Sequence, residues 1–334
     1  MNKKLSYEDS GVSISTGDAW VNVIKDLLKK RPKSENLLGT VGGFVGLYNI
    51  GAGQCIASCC DGVGTKLEFA KETDSYRQLG QDLVAMNVND LVTIGARPLF
   101  FLDYIACGKL NINVLKEIVE GVLDACDESG CALLGGETAE MPGVYSQDGF
   151  DLAGFSVGLV DQDKIIDGEK IEKGNIIVGL SSSGAHSNGY SLIRTALGKN
   201  GLNVDLNTKP ENWEETIGEA VMKPTKLYVR AASKVIKTGK IKGMAHITGG
   251  GMYSNIIRIL PEGLDADIDF SSWKRPRIFD LIQSAGIDED EMRKVFNLGI
   301  GYIFVLNIGD FDEIAEVLSK VGEKPIIIGK VVKK

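Results

Sequence analysis

The sequence predicts two α/β domains in tandem, and three observations carry that reading. The 334 residues exceed what one ordinary core organises. Short apolar runs rich in β-branched residues alternate with segments of helical periodicity. The alternation also stops at a polar stretch, Asp161–Gly174, and then restarts. That stretch holds few large apolar residues beyond Ile165, Ile166 and Ile171, which places the domains at 1–168 and 169–334.

Taken in order, Gly17–Lys30 brings Trp20, Val23, Ile24, Leu27 and Leu28 to one helical face, with Ser15 or Thr16 as N-cap. Glycine-rich Asn36–Gly46 reads as a loop. Gln54–Cys60 and Pro98–Cys107 read as buried strands and Leu79–Ile94 as the helix between them. Asn111–Glu128 is an amphipathic helix, with Ile112, Leu115, Ile118, Val119, Val122, Leu123 and Cys126 opposite its acids. Cys131–Leu134 is a strand running into a glycine turn, and Asp151–Val160 is another. In the second domain Asn175–Leu180, Ala266–Phe270, Gly299–Leu306 and Pro325–Val332 read as strands. Tyr190–Leu197, Thr225–Thr238, Met252–Leu260 and Phe311–Val321 read as helices.

Composition excludes several classes. A net charge of -8 and a pI near 5.1 give no basic footprint for nucleic acid. The one basic run, Lys29-Lys30-Arg31 with Lys33, ends a helix, where cations offset the dipole. No apolar run approaches the ~20 residues of a membrane span, and the basic start Met1–Ser6 has no apolar stretch behind it, so a cytoplasmic location is expected. Cys55, Cys59, Cys60, Cys107, Cys126 and Cys131 form no paired C-x-x-C sets. With only two histidines in the chain, buried free thiols are expected rather than a zinc site.

Candidate chemistry begins at Asp61-Gly62-Val63-Gly64-Thr65-Lys66, where a carboxylate, two glycines, a hydroxyl and an ammonium share one turn after a strand. Such a set suits a metal-bound polyphosphate: Mg²⁺ takes carboxylate oxygens, phosphates take backbone N–H groups and a cation, and glycine allows close approach. No G-x-x-x-x-G-K-[ST] string occurs, so ATP would be held without a P-loop. The same hexapeptide also serves as a plain strand-to-helix turn. Asp90, Asp103 and Glu137 are further acids beside glycines or within apolar runs, where an isolated carboxylate is costly unless paired or metal-bound. His186, in Ser181–Tyr190, and His246, in Ala245–Gly251, each lie among small hydroxyl and glycine residues. Gly249-Gly250-Gly251 precedes a helix and offers N–H groups to an anion, with Arg258 further along.

Together the strings Asp61–Lys66 (DGVGTK), Asp82–Leu91 (DLVAMNVNDL), Gly95–Tyr104 (GARPLFFLDY), Gly135–Gly143 (GGETAEMPG), His186–Arg194 (HSNGYSLIR) and His246–Gly251 (HITGGG) closely resemble the phosphoribosylformylglycinamidine cyclo-ligases, also called aminoimidazole ribonucleotide synthetases. The likeness runs from about Tyr7 to the last strand. It implies ATP-dependent closure of formylglycinamidine ribonucleotide to aminoimidazole ribonucleotide in purine synthesis. It implies a homodimer whose N-terminal domains pair through their sheets, with a C-terminal mixed sheet flanked by helices over the substrate. By this resemblance Asp61, Asp90 and Glu137 hold Mg²⁺, while Lys25, Gly62, Gly64, Thr65 and Lys66 contact ATP. Ser187, Asn188, Gly249, Gly250 and Gly251 hold the substrate, and His186 or His246 moves the proton of ring closure. Cys60 stands where the family usually has threonine, and Ser254 where glutamate is common. Selenophosphate synthetase, a relative of the same fold, usually has a reactive cysteine or selenocysteine in its N-terminal glycine-rich loop; Gly39–Gly46 has none.

Overall fold

Strand and helix alternate as expected, yet the sheets are almost wholly antiparallel. The computed structural model describes residues 5–32, 34–39 and 42–334. Met1–Lys4, Lys33 and residues 40–41 of the expected 36–46 loop lie outside them. The first half comprises α1 (Ile14–Lys29), β1 (Leu37–Leu38), β2 (Gly46–Gly51), β3 (Gln54–Gly62), α2 (Lys66–Thr73), α3 (Arg77–Val92), β4 (Arg97–Cys107), α4 (Ile112–Ser129), β5 (Ala132–Glu140) and β6 (Phe150–Asp161). Its strands form a sheet in the order β1-β2-β3-β6-β4-β5, in which only β4 and β5 run parallel.

The second half comprises β7 (Ile176–Ser181), α5 (Tyr190–Leu197), α6 (Ile217–Met222), α7 (Val229–Ile236), β8 (Gly243–His246), α8 (Gly251–Ile257), β9 (Leu264–Ile268), α9 (Arg277–Gln283), α10 (Glu289–Val295), β10 (Ile300–Leu306), α11 (Phe311–Ser319) and β11 (Ile326–Lys333). Its sheet is antiparallel throughout, in the order β8-β10-β7-β11-β9.

Several local expectations change. Ser13, not Ser15 or Thr16, caps α1 by accepting the Thr16 N–H. The 36–46 loop contains β1, paired to Leu47 and Tyr48. The Gly135–Glu140 segment is strand rather than turn, because its backbone pairs with β4 from Leu102 to Cys107. α7 starts at Val229 instead of Thr225, since the backbone of 225–228 is hydrogen-bonded by side chains of α3. Residues at the start of the expected N-terminal domain pack on the second half: Leu5 bridges to Ile287, and the Tyr7 N–H donates to Glu291 Oε1 at 2.7 Å.

Strand periodicity divides the first sheet into two unlike faces. Cys55, Ala57, Cys59 and Asp61 point toward α3, as do Ser156 and Phe101. The other face carries Tyr48, Ile56, Phe155, Val157 and Tyr104 and lies open, with Tyr48 45% and Phe155 40% exposed. α1 likewise buries none of its residues, and Trp20 is 60% exposed.

α3 and α4 meet backbone to backbone. A Cβ on Gly121 would sit 2.0 Å from Arg77 O, and one on Gly80 would sit 2.1 Å from Ile118 O. Beyond this crossing one hydrophobic core joins the halves: Leu67, Phe69, Leu79 and Leu83 share it with Tyr190, Ile217, Val221 and Met222. Phe69 meets Tyr190 edge to face at 5.8 Å. Gly121→Ala should therefore lower stability by about 1–3 kcal/mol, as overpacking does, although alanine is the better helix former. A urea unfolding midpoint at or above wild type would contradict the crossing.

Candidate active site at the domain junction

The C-terminal end of β3 delivers Asp61 to the mouth of the junction. Its Oδ1 accepts the Gly62 N–H at 2.7 Å, and Asn87 Nδ2 donates to its carbonyl at 3.2 Å. Burial pushes the Asp61 carboxyl up to about 6, and the nearby charge of Asp90 adds to the rise, while the Gly62 N–H and His246 oppose it. Asp90, near the C-terminus of α3, is also raised by burial, against the pull of His246 and Arg258. Burial and proximity thus both disfavour charge on the Asp61 carboxyl, and burial disfavours it on Asp90.

His246 crosses from β8 to meet them. Its Nδ1 lies 2.8 Å from Asp90 Oδ1, and its Nε2 lies 3.4 Å from Asn89 Nδ2. Asn89 Oδ1 accepts the Tyr228 N–H at 2.8 Å, which fixes the amide so that its nitrogen faces the imidazole. Nε2 is thus the acceptor, and Nδ1 carries the hydrogen toward Asp90. Above Asp90, Arg258 lies 5.5 Å over the Phe44 ring. The same loop passes Lys25, whose Nζ is 3.3 Å from the Cβ position of Gly42.

The glycine loop between β8 and α8 is held by its carbonyls. Asn255 Nδ2 donates to Thr248 O, Gly249 O and Gly251 O, and Ser254 Oγ donates to Gly250 O. The N–H groups of Gly249 and Gly250 have no protein acceptor among the described residues. Asn188 stands beside this loop, its Oδ1 3.6 Å from the Cβ position of Gly249. Ser187 Oγ meets Thr225 Oγ1 at 3.1 Å. At the other end of the turn Gly64 adopts φ 70° in open space, and Thr65 Oγ1 lies 3.1 Å from Ser191 Oγ.

Asp61, Asp90, His246, Asn188 and the glycine loop therefore converge, whereas three expectations change. Glu137 does not join the acids. It shares a register row with Tyr104, Ala153 and Gly62, on the open face, while Asp61 lies in the row of Gly154 and Asp103 on the helix face. Three strand spacings, roughly 14 Å, separate the rows' ends as well. Among the described residues no three of His, Cys, Asp and Glu form a metal-binding group. Lys66 does not face phosphate either: it is fully buried, with Nζ 2.7 Å from Asp82 Oδ2, 3.0 Å from His186 O and 2.7 Å from Lys223 O. Both histidines are fully buried too. His186 packs against Tyr228 and His246, and burial first, then the charges of His246, Lys66 and Lys226, hold its pKa well below 6.5. Cys60 projects from the open face, away from the Asp61 carboxylate.

The description "AIR synthase related protein, N-terminal domain" matches residues 42–160, and the corresponding C-terminal domain matches 172–334. The phosphoribosylformylglycinamidine cyclo-ligase of Alkaliphilus metalliredigens (strain QYMF) is 44% identical over 99% of this chain and 96% of its own length. The chain belongs to the phosphoribosylformylglycinamidine cyclo-ligase family. The cyclo-ligase of Bacillus thuringiensis subsp. konkukian (strain 97-27) is 46% identical over 98% of this chain and 96% of its own length. Membership makes the chain an enzyme of ATP-dependent ring closure in purine biosynthesis. The fold extends further. Thiamine-monophosphate kinase from Stenotrophomonas maltophilia K279a superposes with TM-score 0.60 at 15% identity, over 95% of this chain and 94% of the other. Thermotoga maritima PurL complexed with FGAR gives TM-score 0.62 at 16% identity, over 94% of this chain and 52% of the other.

The residues that hold the site together are not among those to which the motifs assign a role. Asp82 and Asn89, seven apart on α3, bind the extended segment 223–228. Asn297 Nδ2 donates to Gly184 O, and a Cβ on Gly301 would meet His186 Cε1 at 2.4 Å. Polar residues at helical spacing within an otherwise apolar helix were the available signal.

The raised Asp61 pKa has a stability consequence. Between pH 4 and 6 the unfolded chain has released this proton while the folded one keeps it, so the ligand-free protein loses stability as pH rises through that window. The loss reaches up to about 3 kcal/mol for a shift of two units. Asp61→Asn should remove it, making the ligand-free variant more stable than wild type at pH 7.5 in urea unfolding; equal or lower stability would contradict the buried-carboxylate account.

Proposed function

We propose that the chain converts formylglycinamidine ribonucleotide and ATP to aminoimidazole ribonucleotide, ADP and phosphate at this junction. One observation carries the assignment of roles: Asp61 and Asp90 from the first domain meet His246, Asn188 and a glycine loop from the second, in which the Gly249 and Gly250 N–H groups have no protein acceptor among the described residues. A formamide oxygen is a poor leaving group until it is phosphorylated. Once it carries the γ-phosphoryl group, the neighbouring amidine nitrogen attacks the same carbon, the C–O bond breaks, and the departing phosphate takes up the proton the nitrogen gives up. Such chemistry asks the protein for alignment and charge neutralisation.

The residues divide accordingly. Gly62, Gly64 and Thr65 take the ATP phosphates on the turn after β3, with Lys25 toward the nucleotide across the Gly42 loop. Gly249, Gly250 and Gly251 receive the substrate's ribose phosphate, and Ser187 and Asn188 orient its amidine. Asp61 and Asp90 would hold Mg²⁺, which when bound neutralises charge on the phosphates. Two adjacent carboxylates fit this ion, since Mg²⁺ commonly takes one or two carboxylates with phosphate oxygens and waters. His246 then serves Asp90: its Nδ1–H fixes one carboxylate oxygen and leaves the other toward the mouth. The buried imidazoles take no part as proton carriers.

The open sheet face and the bare apolar stripe of α1 support a homodimer, because each would otherwise leave aromatic surface in water. The cytoplasm is the proposed location, where both phosphorylated substrates are available.

A coupled assay should register ADP release that depends on formylglycinamidine ribonucleotide, and Asp61→Asn should reduce it at least a hundredfold. Substrate-independent ADP release, or none, would defeat the reading. Phe155→Asp should shift a dimeric elution volume to the monomer in size-exclusion chromatography; a monomeric wild type would remove the homodimer.

A further inference from the structure

Lys66 is the last residue of the turn read here as the ATP seat, yet its ammonium points away from that seat. Its ammonium pairs with a carboxylate of α3 at 2.7 Å and donates to two backbone carbonyls of the second domain, His186 O and Lys223 O. Asp82 completes the arrangement, because its second oxygen accepts both the N–H of Thr225 at 2.7 Å and its hydroxyl at 2.6 Å. A tetrahedral ammonium directs its three donors out of a single plane, whereas the donors of a guanidinium all lie in one.

The carbonyl gripped by Lys66 belongs to a residue under constraint. His186 has φ 61°, the left-handed region that a residue with a side chain seldom adopts. The two residues that follow it are Ser187 and Asn188. Their placement depends on the direction in which the His186 peptide leaves that conformation, and Lys66 is the charged partner fixing that peptide. Ser187 is tied a second time into the same cluster through Thr225, which Asp82 also holds.

Resting on the functional reading above, we infer that Lys66 is a positioning residue for substrate, not a ligand of ATP: it holds the His186 carbonyl so that Ser187 and Asn188 face the amidine. Burial lowers the Lys66 pKa against the opposing pull of Asp82, as expected for an ammonium kept charged only by its immediate partners. Removing it leaves a buried carboxylate and a strained peptide without support, while the phosphate-facing N–H groups of the turn stay in place.

The test separates the two substrates in the full-length enzyme. Lys66→Met and Lys66→Arg are compared with wild type for the affinity of a methylene-bridged ATP analogue with Mg²⁺, and for kcat and KM toward formylglycinamidine ribonucleotide. Both variants should bind the analogue within twofold of wild type and raise the substrate KM at least tenfold. Asp82→Asn, which removes the counter-charge without touching the turn, should show the same split and serves if the Lys66 variants do not fold. A tenfold loss of analogue affinity with unchanged substrate KM would make Lys66 a phosphate ligand. A lower unfolding temperature with both constants at wild-type values would reduce it to a structural ion pair. Either result overturns the inference. Wild-type enzyme run in parallel tests the functional reading on its own: absence of substrate-dependent ADP release there defeats that reading, and the role of Lys66 falls with it.

Discussion

The seam between one face of α3 and the extended segment 223–228 is the interaction on which the rest of the site depends. Gln81, Asp82 and Asn89 bond the backbone of Thr225, Lys226 and Tyr228, and Asp90 continues the row to His246. Every one of these groups is polar and most are buried, so a single missing partner leaves an unsatisfied group costing roughly 1–3 kcal/mol. Such a seam tolerates only one relative placement of the two domains. The apolar core that Phe69 and Tyr190 share across the same boundary adds adhesion without that directional demand.

That fixed placement explains the electrostatics. Asp61 comes from a strand end and Asp90 from a helix end, and neither is costly alone at a surface. The second domain covers both, and burial raises each carboxyl, while His246 relieves both in part and Arg258 relieves Asp90. The site thus holds carboxyl groups whose charged forms burial destabilises. The two histidines, which composition singles out by rarity, turn out to be interior: one orients a carboxylate, the other packs against Tyr228 and the first histidine.

The surface reads as the complement of this interior. One face of the first sheet is covered by helices and sealed at the α3–α4 crossing, where only glycine fits. Its opposite face carries Tyr48, Phe155 and Tyr104 in the open, together with Glu137. The acid expected beside Asp61 therefore faces the open side of the sheet.

The two-domain α/β class, the main helices and strands, and the family's strings are all legible along the chain. Those properties are local: periodicity, glycine at turns, and the short-range order of Asp61–Thr65, His246–Gly251 and Ser187–Asn188 survive in any context. Only the tertiary structure decided which of these residues meet. Strand order β1-β2-β3-β6-β4-β5 sends Glu137 to the far face by parity alone, one residue of register away from Asp103's side. Domain packing buried Lys66 against Asp82 and both histidines among tyrosines, because partners 16 to 157 residues distant along the chain leave no periodic trace. A sequence can show that a lysine follows a phosphate turn; the direction of its ammonium is decided by what the fold places within reach.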